Sequence, residues 1–226
     1  MTAKPSAGLD LRRPLASFVA ATRGVLLEPS RFFADLREER SYAGPVIYAL
    51  LCQFLAVLLA GAYDFARAAA TGTLGAISVV GTDGAAGALL WVLLLLGLAP
   101  LYALATLAVG TVAYQGLVLV FVGRGNAGIG ATFRVTAYLS AVSLLIWLPI
   151  LGLLAGLYGV WINAAGLKQF HQTTTTRAVL VAAIPYIVFL AWSVYGVATG
   201  STTLAEFLIG GGTNFPTTDE PLAPGI

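Results

Sequence analysis

Charge is scarce in this chain. Of its 226 residues only 10% are Asp, Glu, Lys or Arg, and there is one cysteine, one histidine and one methionine. A soluble domain carries about 25% charged residues, so an ordinary water-soluble fold is excluded. Cys52 lies in an apolar run and leaves neither an intrachain disulfide nor a cysteine metal site; a small buried hydrophobe is its expected role. His171, in KQFHQTTTTR, reads as a solvated or capping residue at a helix end. The net charge of +2 is too small to point to nucleic acid. Acidic residues are missing from the middle of every long apolar stretch. Proton relays and ion pathways need ionisable groups inside the membrane, which argues against a proton-coupled transporter and an embedded hydrolase. Zinc-protease, P-loop and paired-cysteine patterns are missing too. An enzyme is therefore not expected, and neither catalytic residues, a cofactor nor a metal is assigned.

What is present is apolar. Hydrophobic residues make up 58% of the chain and the mean hydropathy is +0.88, as in a polytopic membrane protein whose solvent is mostly lipid. Long apolar runs cover Pro45–Tyr63, Gly87–Val122, Ala131–Leu148, Ile150–Leu167 and Ala178–Gly196. A span needs ~20 residues. From Val135 to Leu167 there are 33 uncharged residues, about 50 Å of helix against a hydrocarbon core of ~30 Å. Two spans with a tight turn at Pro149 and Gly152 fit better than one. The run from Gly87 to Val122 is also too long for one span, but GALLWVLLLLGL before Pro100 has only 12 residues. It reads as one kinked or partly interfacial span.

Charge placement supports that choice. Seven of the twelve Lys and Arg lie in the first 43 residues. With five spans, this basic N-terminus, Arg124 and the loop from Lys168 to Arg177 share one side. The glycine-rich loop 67–86 and the tail with Glu206, Asp219 and Glu220 share the other, as the positive-inside rule requires. The fold class is therefore all-α: a polytopic integral membrane protein with five transmembrane helices, N-terminus cytoplasmic and C-terminus outside. Residues 1–43 form a cytoplasmic segment with amphipathic helices, 44–198 the five-span domain, and 199–226 an extracytoplasmic tail, mostly disordered.

Two short helices precede the first span. Pro14 opens one, with Arg12, Arg13 and Arg23 on its polar side; Pro29 opens the other, with Phe32 and Phe33 on one face. Both suit helices lying in the membrane interface, with packing onto the protein's own cytoplasmic face as the alternative. Arg23, Pro29, Phe32, Phe33 and His171 are the candidate interfacial or partner-binding residues. The N-terminus does not read as a signal peptide, since Arg12, Arg13 and Arg23 interrupt it and no apolar core with a cleavage site precedes residue 44.

Two patterns invite a functional reading. GRGNAG at Gly123–Gly128 matches G-x-G-x-x-G, but it follows a membrane helix and has no acid ~20 residues on; a flexible connector is expected. More informative are Gly152, Gly156, Gly159, Asn163 and Gly166, spaced 4, 3, 4 and 3 on one helix face. Small residues let helices approach closely in lipid. The preceding span offers Thr136, Ser140, Ser143 and Trp147 at matching spacing. The two faces are expected to pack as an antiparallel hairpin with its turn at Pro149, and Asn163 would want an interhelical partner. Plain helix packing and a lipid or partner site on that face both remain open. Tyr138, Ser140 and Asn163 could also line a polar cavity beside the Pro100 and Pro185 breaks, because broken helices mark transporter sites.

Several of these features, taken in order, resemble the Yip (Ypt/Rab-interacting) family, especially its prokaryotic branch. Pro29 with Phe32 and Phe33 precedes the first span. The connector leads through GRGNAGIGATFRVTAYLS to Tyr138. Pro149 and Gly152, Trp161, Gly166-Leu167, His171 and Arg177-Ala178 follow, and the similarity covers roughly residues 15 to 196. It implies five helices with a cytoplasmic N-terminus in the cell membrane of a prokaryote. For eukaryotic members it implies Rab-type GTPases, vesicle trafficking and membrane shaping. Their Asp-Leu-Tyr-Gly-Pro reads Ser41-Tyr42-Ala43-Gly44-Pro45 here, so a Rab-type GTPase is not the expected partner. Membrane lipids, a second copy of the chain or another membrane protein are. The functional expectation is a non-enzymatic membrane organiser or recruiter of partners; the alternative is a small-solute or lipid transporter.

Overall fold

The computed structural model of the protein describes residues 8–36, 41–72, 78–79, 82–148 and 151–200. It is built from helices: α1 (Pro14–Leu27), α2 (Pro29–Leu36), α3 (Ala43–Thr71), α4 (Gly84–Phe121), α5 (Ile129–Leu139), α6 (Ser143–Ile146), α7 (Leu151–His171) and α8 (Thr175–Ala198). A 3-10 turn, Ser140–Val142, joins α5 to α6. A two-residue antiparallel pairing of β1 (Ser78–Val79) with β2 (Thr82–Asp83) precedes α4. Among the described residues five stretches are long and apolar enough to cross a membrane: Ala43–Ala70, Leu96–Phe121, Ile129–Ile146, Leu151–His171 and Thr175–Ala198. The protein is thus an all-α, multi-pass membrane protein.

The apolar run between Ala131 and Leu167 is divided as its length demands. The α5–α6 span ends at Ile146 and α7 begins at Leu151. At the junction Leu148 N–H donates to Leu145 O at 3.2 Å, and Gly152 N–H to Leu148 O at 2.7 Å. Pro149 itself lies outside the described residues. Gly152 is required here, because a Cβ on it would collide with the Ile146 carbonyl.

Two boundaries differ from expectation. The first span does not stop near Tyr63; α3 runs to Thr71, where Gly72 adopts φ 71° and ends it. Asp64 and Arg67 are therefore helical, and the expected loop 67–86 shrinks toward the β1–β2 pairing. The stretch before Pro100 joins the rest of α4 in one helix of 38 residues with Pro100 inside it. At 1.5 Å per residue α4 is about 57 Å long, well beyond a ~30 Å hydrocarbon core. Its membrane-crossing stretch begins only at Leu96.

The third span also departs from one regular helix, because the 3-10 turn 140–142 interrupts it. Ser143 Oγ donates to Ser140 O at 2.7 Å across that turn. The tail beyond residue 200, with its expected disorder, lies outside the described residues.

The protein core is not spread evenly along the bundle. The largest fully buried side chains include Phe33 and Leu36 of α2, Tyr48 of α3, Val118 of α4, Val135 and Tyr138 of α5, and Ile162 and Leu167 of α7. All belong to the end of the bundle that carries the α4–α5 connector (122–128) and the α7–α8 turn (172–174), called here the connector end. Toward the other end the helices present leucines and aromatics outward, such as Leu93, Leu98, Phe189 and Trp192. Those surfaces suit lipid rather than protein contact.

Candidate functional site

Three features of the connector end and the central bundle carry the possible chemistry: the docked N-terminal helices, a polar network around His171, and a groove between α4, α5–α6, α7 and α8.

The N-terminal helices do not both lie on the membrane surface. Gly24 lets α2 fold back on α1; a Cβ there would stand 2.8 Å from Phe32 Cδ2. Phe32 (5% exposed) meets Tyr138 edge-on with ring centroids 5.1 Å apart, and Phe33 (0%) meets Phe170 at 6.4 Å. Pro29 and Leu36 are buried beside them. The aromatic pair thus packs against α7 and α5, the second of the two arrangements the sequence left open for Pro29, Phe32 and Phe33. An amphipathic helix buries the same stripe whether lipid or protein covers it, so periodicity alone could not separate the two.

Helix α1 and the segment before it are held by hydrogen bonds into the bundle. Leu9 N–H donates to Tyr138 Oη at 3.0 Å, Tyr158 Oη donates to Leu26 O at 2.7 Å, and the Thr22 and Tyr48 hydroxyls lie 2.9 Å apart. Its inner face, Ala21 and Val25, is sealed. Its outer face is not: Leu15 is 82% exposed, Val19 64% and Leu27 66%, with Arg12, Arg13 and Arg23 exposed among them.

The connector is a built turn rather than a slack one. Gly123 and Gly128 take φ 89° and 84°, which L-residues with a side chain rarely adopt. Asn126 fastens the turn: its Nδ2 donates to Gly123 O at 2.7 Å and its Oδ1 accepts from Gly128 N–H at 2.7 Å. That same Oδ1 accepts from Gln115 Nε2 at 3.2 Å. Thr132 Oγ1 donates to Gln115 Oε1, and the hydroxyl oxygen lies 3.1 Å from His171 Nε2. Ala127 N–H donates to His171 Nδ1 at 3.1 Å.

The directions close in only one way. The Thr132 proton is committed to Gln115, so His171 Nε2 must donate to Thr132. Nδ1 accepts, so the ring is the neutral Nε2–H tautomer. His171 is thus a buried fastener (4% exposed) tying α4, α5 and α7 to the connector. This corrects the expectation of a solvated residue. Sequence reasoning missed Gln115, Asn126 and Thr132, which lie on separate segments and form no local motif.

Beside this network opens a cavity of about 460 Å³ lined by Tyr42, Gly130, Arg134, Phe170, His171 and Gln172, among others. The Arg134 guanidinium lies 4.6 Å from the Tyr42 ring centroid, a cation–π distance. Among the described residues no group of three or more His, Cys, Asp and Glu side chains could hold a metal ion.

The glycine face of α7 does not point to one neighbour. A Cβ on Gly166 would stand 2.6 Å from Val135 Cγ1 and 3.1 Å from Phe33 Cε2, and one on Gly159 would stand 3.3 Å from Val142 Cγ1. Gly156 instead faces Tyr186 of α8, 2.8 Å from its Cε2. The residues of the third span that fill the α7 notches are thus Val135 and Val142. Thr136 lies against Gly110 of α4 and Trp147 against Tyr63 of α3 with centroids 6.0 Å apart, while Thr136, Ser140 and Ser143 line a groove that Gly156 and Gly159 also line. Thr136, Ser143 and Trp147 each donate to carbonyls of their own span, at 2.9, 2.7 and 2.7 Å. In lipid a hydroxyl satisfies itself on the nearest carbonyl, which frees the valines for close packing. Tyr138, proposed as a cavity residue, is fully buried against Tyr48 and Phe32.

A model of the Yip1 domain family matches residues 23–196. The chain belongs to this family. No curated protein and no solved structure shows a match. The Yip1 domain match begins inside α1 and ends inside α8, so it takes in α2 as well as the five apolar helices. That extent agrees with the burial of α2 in the same core as α3, α5 and α7. The His171 network and the glycine face of α7 both lie within the matched Yip1 region.

Proposed function

We propose that this Yip1-domain protein is a non-enzymatic component of a prokaryotic cell membrane that organises lipid or recruits a membrane-protein partner through the outer face of α1. The N-terminus and the connector end face the cytoplasm, and the C-terminus lies outside. One observation carries the reading. Helix α1 is anchored to the bundle along one side and still presents Leu15, Val19 and Leu27 outward among Arg12, Arg13 and Arg23. A docked helix with a second apolar face is placed for lipid or for another protein, and the arginines suit anionic headgroups.

Deleting the N-terminal segment would not test this, because it would remove Val25, Phe33 and Leu36 from the core. The test is Leu15→Ser combined with Val19→Ser, scored by co-purification of lipids and proteins from native membranes. Reduced recovery of anionic lipid or of a specific partner, at unchanged thermal stability, is expected. Recovery identical to wild type sinks the proposal.

A further inference from the structure

Helix α1 does not run along the bundle; it crosses it. The Phe18 ring stands 5.4 Å from the ring of Tyr48 on α3, and the Thr22 hydroxyl 2.9 Å from Tyr48 Oη. The helix then packs against the 3-10 turn 140–142 of the third span, whose Val142 stands at Gly159 of α7. At its end Leu26 O accepts from Tyr158, the neighbour of that glycine. Three spans are thus met in succession. The stretch of α7 from Tyr158 to His171 is about 20 Å long, so α1 crosses well short of the connector end. From there α2 turns along α7 toward that end, where Phe33 meets Gly166 and Phe170.

The exposed surface changes character where α1 crosses. On the side away from the connector, α7 exposes Leu151, Leu154 and Leu157, and α3 exposes Leu51, Phe54 and Leu58. Tyr158 and Trp161, both exposed, stand at the change, as aromatic residues do at a membrane–water boundary. Toward the connector the exposed positions include Glu28, Arg31 and Asp35 at and along α2, and Lys168 on α7. Such charges are costly in hydrocarbon. The opposite flank shows no such change, since α4 exposes Val109, Val112 and Val120 down to the connector.

We propose that α1 lies in the headgroup layer of an anionic leaflet and holds the hydrocarbon boundary about 20 Å from the α7 end, while on the α4 flank the boundary reaches the connector. Leu15, Val19 and Leu27 enter the chains, and Arg12, Arg13 and Arg23 meet the phosphates. No acidic residue lies between Leu11 and Leu27 to oppose them. The occupant is a bilayer rather than a protein because the apolar-to-polar change continues from α1 onto α3 and α7. The leaflet is thinned beside α1, and the outer side of α2 stands in water. This rests on the reading of the outer face of α1 given above and narrows it to lipid.

The experiment places one nitroxide label at a time on the full chain in nanodiscs containing phosphatidylglycerol. Depth is read from collisions with oxygen, which concentrates in the chains, against a water-soluble nickel chelate. Leu154→Cys and Val120→Cys should be oxygen-rich, and Ala34→Cys and Lys168→Cys nickel-rich. Labels at Leu15→Cys, Val19→Cys and Leu27→Cys should read ~5–10 Å inside the boundary. Exchanging phosphatidylglycerol for phosphatidylcholine, or replacing the three arginines by glutamine, should make these α1 sites shallower; unchanged depth in both would overturn the anionic assignment. Sites on α1 as open to nickel as Ala34→Cys, or Val120→Cys and Lys168→Cys at equal depth, would overturn the proposal. Watery α1 sites together with a protein partner lost on Leu15→Ser and Val19→Ser would sink this inference and keep the recruiting role. The predicted depths with unchanged recovery in that double variant would do the reverse.

Discussion

Replacing Phe33 by alanine separates a docked α2 from one lying in the membrane interface. The ring is fully buried, approaches the Gly166 backbone, and meets Phe32 and Phe170 edge-on at 5.3 and 6.4 Å. Truncating a ring so enclosed removes its contacts and leaves a cavity, a loss of ~3–5 kcal/mol. For a chain of this size that corresponds to a fall in melting temperature of roughly 10 °C. The assay is thermal unfolding in mild detergent, with limited proteolysis of the α1–α2 segment as a second readout. Arg31→Ala is the control, since its 3.3 Å pairing with Glu28 is exposed on both sides and is expected to change stability by under ~1 kcal/mol. An interfacial α2 would weaken membrane partitioning and leave bundle stability alone. A Phe33→Ala protein that melts with the Arg31→Ala control would refute the docked arrangement.

Further expectations follow from the same contacts. Gly166→Leu should destabilise more than Gly156→Leu, because the first meets Val135 and Phe33 in the sealed core and the second meets only the Tyr186 ring; melting temperature and oligomer size in detergent check the order. Thr132→Val should lower stability by ~1–3 kcal/mol, since it strands the Gln115 acceptor and the His171 Nε2 donor; thermal unfolding measures it. Arg23→Ala, at an exposed position on α1, should leave stability within ~0.5 kcal/mol while weakening recovery on anionic vesicles, read by flotation.

The number of spans could be read before any coordinates, because it rests on quantities that add along the chain. Length against membrane thickness divided Val135–Leu167, and loop charge kept Gly87–Val122 whole. Pairing could not be read in the same way. The Gly152–Gly166 spacing marked a face of close approach, yet which helix meets each glycine depends on how α7 rotates between α5 and α8. That rotation is decided by the valines and by Phe33, not by the polar stripe that seemed to match. The 3-10 turn at 140–142 has no proline or glycine to announce it. His171 is the clearest case: its partners Thr132, Ala127 and, through Thr132, Gln115 come from the connector and two other helices, so only the fold assembles them.

The central claim is a five-span bundle with α1, α2, the 122–128 connector and the 172–174 turn on one side of the membrane. Single-cysteine labelling in intact cells with a membrane-impermeant maleimide tests it most directly, at Arg12→Cys, Arg124→Cys and Gln172→Cys against Thr73→Cys and Ser201→Cys. The native Cys52 is fully buried and should stay silent. Labelling of only the Thr73 and Ser201 variants before permeabilisation, and of the other three only after it, is the predicted result. Labelling of the Arg12, Arg124 or Gln172 variant in intact cells would contradict the account.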